Sequence, residues 1–598
     1  MKQSLNGAWQ ITRTTPGVAE PMTFTGTVPG CVLNDLLRNG YGPENVFWRD
    51  HAEQVQHFEN DSWCYRRVFS VSEPTDHVEL VFERLDTYCD VYLNGKYVGS
   101  GDNGYIPHRF SVGDQLQTGE NSVEVYFQSP IVRTAGQKPS SGAFTTERIR
   151  TRRVQCTYGW DWTMRFVTCG IGDAALEFPE AQPMRPEHVY VYTKCVDEDG
   201  AALGIDVRFA EPCTGALLTF RVCDDQNQTV YSEERWCAEP FLRLNPDIAH
   251  PKLWYPAGYG AQPLYRLIIQ WGDRVLHTTE FGIRTVRILQ LKDEPGTTYH
   301  TRCMELKTTD FSERYDQNAE FSGFVLKING VKILCRGANW VPCEPFTTDG
   351  IPQKITRHLE MAKEAGVNML RVWGGGAIEC EHFYDECARL GILVTQDFLM
   401  ACGRYPEEED WFIEALQKEA TYATLLLRNK DCLLWWSGDN ENAVGGTDLD
   451  ENYPGRRSAY KGIAPILYKL DPHRAFFPSS PYGGRKYASH TVGTTHNTHF
   501  LSFFFKWLEE SDLSDYKEML QKYSARFIAE EPTMGACSWN TLKTFMTEAD
   551  ILGDDNRMWL YHTKGNPALQ RDLMEYMELF AEKVLGAYTD GADRFFSS

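Results

Sequence analysis

No stretch of this 598-residue chain is long and apolar enough for a membrane-spanning helix, so a helical membrane protein is not expected. The opening residues, Met1-Lys2-Gln3-Ser4-Leu5-Asn6-Gly7, lack the apolar core of a secretory signal, and the expectation is a cytoplasmic chain. Close cysteine pairs are missing too. The 17 Cys are an odd number, and no two lie nearer than Cys380 and Cys387, which excludes a C-x-x-C redox motif and a local zinc knuckle. Reduced, mostly buried thiols are expected, with no metal and no cofactor. Positive charge is also short: 60 Lys and Arg against 82 Asp and Glu leave a net charge of -22, a poor match to nucleic acid or an anionic membrane. Neutral ligands fit better. Aromatic residues are plentiful, with 16 Trp and 29 Tyr. Flat rings of this kind stack on sugar C-H faces, and they also fill the cores of β-sandwiches.

The length is too great for one core, and the patterning divides it into three. Residues 1–185 read as short alternating segments broken by Gly, Asn and Pro, such as 78–82 and 91–98. An Asn94-Gly95 hairpin turn sits in the second, and the whole is expected to be a jelly-roll-like β-sandwich. Residues 186–288 repeat that style in a smaller immunoglobulin-like sandwich, with strands around 189–192, 217–222 and 264–269. From 289 to 598 short apolar runs alternate with amphipathic stretches, the mark of β/α units around a parallel sheet. Candidate strands are 333–335, 368–372, 392–394, 432–436, 475–478, 494–496 and 525–530. Helices are expected at 352–365, where Ile355, Leu359 and Ala362 share a face, and at 381–390. A last helix is capped by Asn566 and Pro567.

In a (β/α)8-type barrel the reactive groups stand where strands end. Two carboxylates meet that condition, Glu441 after Trp436-Ser437-Gly438-Asp439-Asn440, and Glu530 after Arg526-Phe527-Ile528-Ala529. Trp373-Gly374-Gly375-Gly376 and His496-Asn497-Thr498-His499 follow two other strands; the glycines are expected to let backbone approach a ligand. His496 and His499 are spaced as a metal pair but lack a third ligand nearby, so His496 is expected to hydrogen-bond within the pocket.

These residues resemble glycoside hydrolase family 2, and among its branches the β-mannosidases. The likeness runs through Leu5-Asn6-Gly7-Ala8-Trp9, Trp63-Cys64-Tyr65-Arg66-Arg67 and Gly159-Trp160-Asp161-Trp162. It continues in Arg336-Gly337-Ala338-Asn339-Trp340, Leu370-Arg371-Val372-Trp373, Gln396-Asp397-Phe398 and Asp439-Asn440-Glu441-Asn442. The ordered set is specific where no single motif is. It implies Glu441 as acid/base, Glu530 as nucleophile and Asn440 as the partner of the sugar 2-hydroxyl. Trp160, Asp161 and Trp373 are implied to line the glycone pocket. Aligning Arg526-Phe527 with the family pattern selects Glu530 over its neighbour Glu531.

Retaining hydrolysis requires one protonated and one ionised carboxyl. A raised pKa is therefore expected at Glu441, from burial against Trp435 or Trp436, while Arg371 keeps Glu530 charged. The implied function is a retaining exo-β-mannosidase acting on terminal β-D-mannosides or manno-oligosaccharides. The alternatives are another family 2 exo-glycosidase (β-galactosidase or β-glucuronidase) and a catalytically impaired carbohydrate-binding remnant. Asp439 stands where the family has Asn. With seven strands counted, the barrel is expected to be incomplete at its C-terminal end, the chain being either a truncated gene product or one that a second polypeptide or its own homo-oligomer partner closes.

Overall fold

The computed structural model describes residues 2–563, except 19–21, 74–76, 138–140, 179–183, 212, 299, 302–322, 347–350, 444–452, 484–492, 497–524, 531–536 and 554, together with 579 and 582–583. The helix expected after Asn566, and the residues His499 and Glu531, lie outside the described residues.

Alternation builds the first sheets. In Gly119–Phe127, Val123, Val125 and Phe127 are buried while Glu124 and Tyr126 between them are not. That strand is central in a six-stranded antiparallel sheet with Thr23–Val28, Gly7–Arg13, Trp63–Val71, Cys89–Leu93 and Lys96–Gly101. A four-stranded sheet of Lys2–Ser4, Ala174–Glu177, Glu79–Phe82 and His108–Ser111 shares one core with it, containing Trp9, Trp63, Leu80, Phe82 and Val91. Asn94 and Gly95 both take positive φ, 51° and 77°, as the two-residue turn between Cys89–Leu93 and Lys96–Gly101 requires.

Two further antiparallel sheets follow. One is Arg185–Val196, Gly200–Ala210 and Phe241–Leu244, with Asp247–Ala249 beside it; the other is Thr229–Cys237, Ala216–Cys223, Tyr265–Trp271 and Arg274–Phe281. Leu203, Ile205, Leu218, Phe220 and Leu267 are buried between them.

From residue 286 on, the described strands are parallel, apart from a small antiparallel sheet of Val286–Leu289, Val325–Ile328 and Val331–Lys332. They are β1 (Gly337–Trp340), β2 (Met369–Val372), β3 (Leu393–Asp397), β4 (Leu433–Ser437), β5 (Ala475–Phe477), β6 (Thr495–His496) and β7 (Ile528–Glu530). β1 to β5 form one sheet in chain order, β6 pairs with β7, and β7 lies against β1. No ladder closes the seven into a ring among the described residues. Helices Pro352–Glu364, Glu381–Leu390 and Asp410–Leu427 connect successive strands, the first burying Ile355 and Leu359.

The first parallel strand differs from the expectation of 333–335. Ile333 is buried but Leu334 is 69% exposed, and the polar backbone there is met by the Asn368 side chain, which donates to Leu334 O and accepts from Arg336 N. The ladder starts at Gly337, where a side chain would meet the Met369 carbonyl oxygen at 1.9 Å.

A buried ion pair joins the first sandwich to the parallel β/α unit. Arg152 donates from Nε and Nη2 to the two oxygens of Glu419 at 2.8 and 2.6 Å, with both side chains no more than 2% exposed. Asn103 adds a third donor to Glu419 at 2.8 Å, and Arg152 also reaches Leu399 O.

Candidate active site

The C-terminal ends of the parallel strands converge on a cluster of polar side chains. Arg371, near the end of β2, is 5% exposed and donates to four acceptors: Asn339 Oδ1 and Glu530 Oε2, each at 2.9 Å, and Asp397 Oδ2 and Asn440 Oδ1, each at 2.6 Å. One guanidinium thus ties the ends of β1, β2, β3 and β7 to the segment after β4. Burial opposes its charge, but Asp397 and Glu530 hold its pKa above the ordinary value, so it stays cationic.

Glu441 follows β4 at φ 59°, a left-handed conformation that costs a non-glycine residue about 1–3 kcal/mol. Its N–H donates to Ser480 O at 2.9 Å, which secures that conformation. His496 Nδ1 lies 2.6 Å from Glu441 Oε1 and 3.8 Å from Glu530 Oε2, and its Nε2 meets Ser480 Oγ at 3.0 Å. The Cys402 thiol donates to Glu441 Oε2 at 3.3 Å and accepts from Asn440 Nδ2 at the same distance. Ligand atoms of Glu441, His496 and Glu530 all lie within 4.8 Å of one another. That group offers enough donors to hold a cation, but the Arg371 charge on Glu530 opposes one.

Glu441 departs from the expected raised pKa. Burial alone would raise it; the hydrogen bond and charge of His496, then Cys402 and Arg371, outweigh burial and hold it below the usual value. The tryptophans expected to desolvate it pack elsewhere. Trp436 stacks on Phe398 and donates to Asp471, and Trp435 packs among Phe324, Phe477 and Phe527. Replacing His496 with Asn removes the strongest opponent of burial. The Glu441 carboxyl, followed by NMR against pH, should then titrate at higher pH than in the parent, and an unchanged titration would count against this arrangement.

Trp160, Asp161 and Trp373 stand beside the carboxylates. Trp160 and Trp373 are 6% and 5% exposed and pack edge to face at 4.9 Å, whereas Trp162 is 42% exposed and 5.9 Å from Trp373. Burial, followed by repulsion from Glu530, raises the Asp161 carboxyl to about 6. The glycines after Trp373 serve the protein's own packing. A Cβ on Gly374 would sit 2.5 Å from Met400 O and 3.1 Å from Asn440 N, and one on Gly375 would strike the Trp373 ring. All eight residues singled out from the sequence therefore lie in one neighbourhood. Asp397 and Asn339, quoted only within motifs, join them and were marked by the same strand-end positions. Cys402 and Ser480 carried no signal, since they lie in loops whose course the sequence does not display.

Asp439, directly before Asn440, is fully buried. Its Oδ1 accepts from Ser479 Oγ at 2.6 Å and from Asn442 N at 3.2 Å, while Oδ2 has no partner among the described residues. Burial, reinforced by Asp397 and Glu407, pushes its carboxyl up to about 8. A carboxyl raised above its unfolded value stabilises the fold fully below that unfolded value, near 3.8, and loses the contribution as pH rises through about 8. Asp439→Asn, which cannot ionise, should gain stability over the parent by about 1.4 kcal/mol per pH unit within that window. Thermal midpoints recorded at mildly acidic and mildly alkaline pH check this; a constant difference between the two proteins refutes it.

Antiparallel sandwich sheets lead into a parallel β/α unit, and two carboxylates converge at its strand ends. Residues 9–173 match the family described as glycosyl hydrolase 2 galactose-binding domain-like. Over its whole length the chain is similar to the solved β-D-mannosidase of Dictyoglomus thermophilum, with 30% identity, a TM-score of 0.84 and 70% of that chain covered. The chain belongs to glycoside hydrolase family 2, in the β-mannosidase branch. It is 28% identical to β-mannosidase B of Emericella nidulans over 79% of its own length, and 27% identical to β-mannosidase of Bos taurus over 92%. It spans 56% and 63% of those two relatives' lengths. An exo-chitosanase of Amycolatopsis orientalis shares the fold, with 18% identity and a TM-score of 0.65.

Proposed function

We propose that the chain is a retaining exo-β-mannosidase that removes terminal, non-reducing β-D-mannose by double displacement. The observation that carries the reading is the approach of Glu441 and Glu530, whose carboxyl oxygens come within 4.8 Å of each other. Retaining enzymes place their carboxyls about 5–5.5 Å apart, whereas inverting ones leave about 6.5–9.5 Å for a water. In this reading residues 1–185 and 186–288 are sandwich domains, and 289–598 is a catalytic unit of (β/α)8 type.

Glu530, held in place by Arg371, attacks the anomeric carbon. Glu441 gives the aglycone oxygen a proton and later takes one from water. His496 Nδ1, 2.6 Å from Glu441 Oε1, is within reach to exchange a proton with it. As Glu530 becomes esterified its negative charge disappears, the proton affinity of Glu441 falls, and Glu441 becomes the base of the second step. Asn440, oriented by Arg371 and Cys402, faces the sugar 2-hydroxyl. Trp160, Asp161 and Trp373 close the glycone pocket.

A panel of nitrophenyl glycosides tests the proposal. Release from the β-mannoside alone is expected. Release from a β-galactoside or β-glucuronide instead would transfer the chain to a sister activity, and mannoside binding without turnover would make it a carbohydrate-binding protein.

A further inference from the structure

Arg148, in the short helix Glu147–Arg150, is wholly buried yet has no carboxylate within ion-pair distance among the described residues. Its two terminal nitrogens are met by neutral oxygens instead, while Nε has no partner among the described residues. Nη1 donates to Ala401 O at 2.8 Å and Tyr405 Oη at 3.0 Å, and Nη2 to Cys402 O at 3.1 Å, while its Cζ lies 4.8 Å from the Trp160 ring centre. A buried cation without a counterion is costly, so an apolar side chain is the ordinary choice for a site that needs only filling.

What the charge holds is the loop next to the acid/base. Cys402 has φ 44°, left-handed like Glu441, and its backbone N–H donates to Asn440 O at 2.8 Å. Asn440 N in turn donates to Met400 O at 2.9 Å. The opposite side of this loop is zipped to the upstream segment, where Ala143 N donates to Cys402 O and Arg404 N to Ser141 O. Arg148 thus grips the outer side of a strained turn whose inner side carries the thiol that touches both Glu441 and Asn440.

We propose that Arg148 is a positioning residue for the acid/base: it fixes the Cys402 turn, and Cys402 fixes Glu441 and Asn440. The inference rests on the glycosidase reading and deepens it, because it gives the N-terminal part of the chain a role in proton transfer as well as in lining the pocket.

The discriminating experiment compares leaving groups. A dinitrophenyl aglycone departs without protonation, whereas an alkyl or sugar aglycone needs the acid. Arg148→Met should lower kcat/KM for mannobiose on the order of 100-fold, as small misplacements of a reacting group do. It should lower kcat/KM for dinitrophenyl β-mannoside by less than about tenfold, because that step omits general-acid catalysis. Arg148→Lys, which keeps the charge and one carbonyl contact, should fall between and guards against a Met variant that does not fold. Equal losses on both substrates in a folded variant would overturn the proposal. If the parent turns over no mannoside at all, it is the glycosidase reading that fails. Hydrogen exchange then decides the positioning claim: faster exchange in peptides spanning 399–405 and 438–442, with the rest of the chain unchanged, supports it, and unchanged exchange there rejects it.

Discussion

Glu530→Gln yields a folded protein whose kcat/KM on β-mannosides is lower by on the order of 10^4-fold or more, the loss typical of removing a covalent nucleophile. The amide keeps the shape of the side chain and its oxygen can still accept from Arg371, so binding and stability change little. What disappears is the charge that the proposed mechanism directs at the anomeric carbon. Glu441→Gln behaves differently. It loses about 10^2- to 10^4-fold where the aglycone must be protonated, retains much of the first step on a dinitrophenyl substrate, and regains turnover when azide replaces the water that Glu441 would have activated. Steady-state kinetics on paired substrates separate the two roles. An active Glu530→Gln beside an inactive Glu531→Gln would move the nucleophile by one residue.

The second large effect is on stability. Glu419→Gln leaves Arg152 buried with its principal counterion gone, and breaking one side of a buried pair costs about 3–5 kcal/mol. Arg152 and Glu419 are 2% and 1% exposed, so solvent does not compensate. Because the pair joins the sandwich side of the chain to helix Asp410–Leu427, the loss should appear as earlier separation of the two regions, read as a lowered denaturant midpoint with exchange concentrated at their contact. The double variant Arg152→Met, Glu419→Leu should recover most of the loss, since no unpaired charge remains. A double variant as unstable as the single one would show that lost packing, rather than an unpaired charge, dominates the destabilisation.

Strand positions were legible to within a few residues wherever apolar runs ended in polar or glycine-rich loops. The runs at 392–394 and 432–436 became β3 and β4, and Glu381–Leu390 is a helix over the expected residues. The run at 333–335 misled because an apolar run need not join the parallel ladder: Leu334 is 69% exposed, and the Asn368 side chain takes its carbonyl and the Arg336 N–H. The glycines after Trp373 carried a real constraint, close approach, but the approaching group is the protein's own backbone.

Glu441 shows where sequence reading stopped. Its place at a strand end follows from local pattern, but the sign of its pKa shift depends on a histidine 55 residues away and a cysteine 39 residues away. The sequence by itself determined the classes of element, the order of sheets and the residue types at the strand ends, because these follow from local periodicity and turn chemistry. Only the tertiary structure decided the separation of the two carboxyls, the four-way grip of Arg371, the burial that raises the Asp439 carboxyl and the clamp of Arg148 on Cys402. Each of those depends on groups distant in the chain meeting in a dry interior, where charge and hydrogen bonding act over a few ångströms that no sequence spacing records.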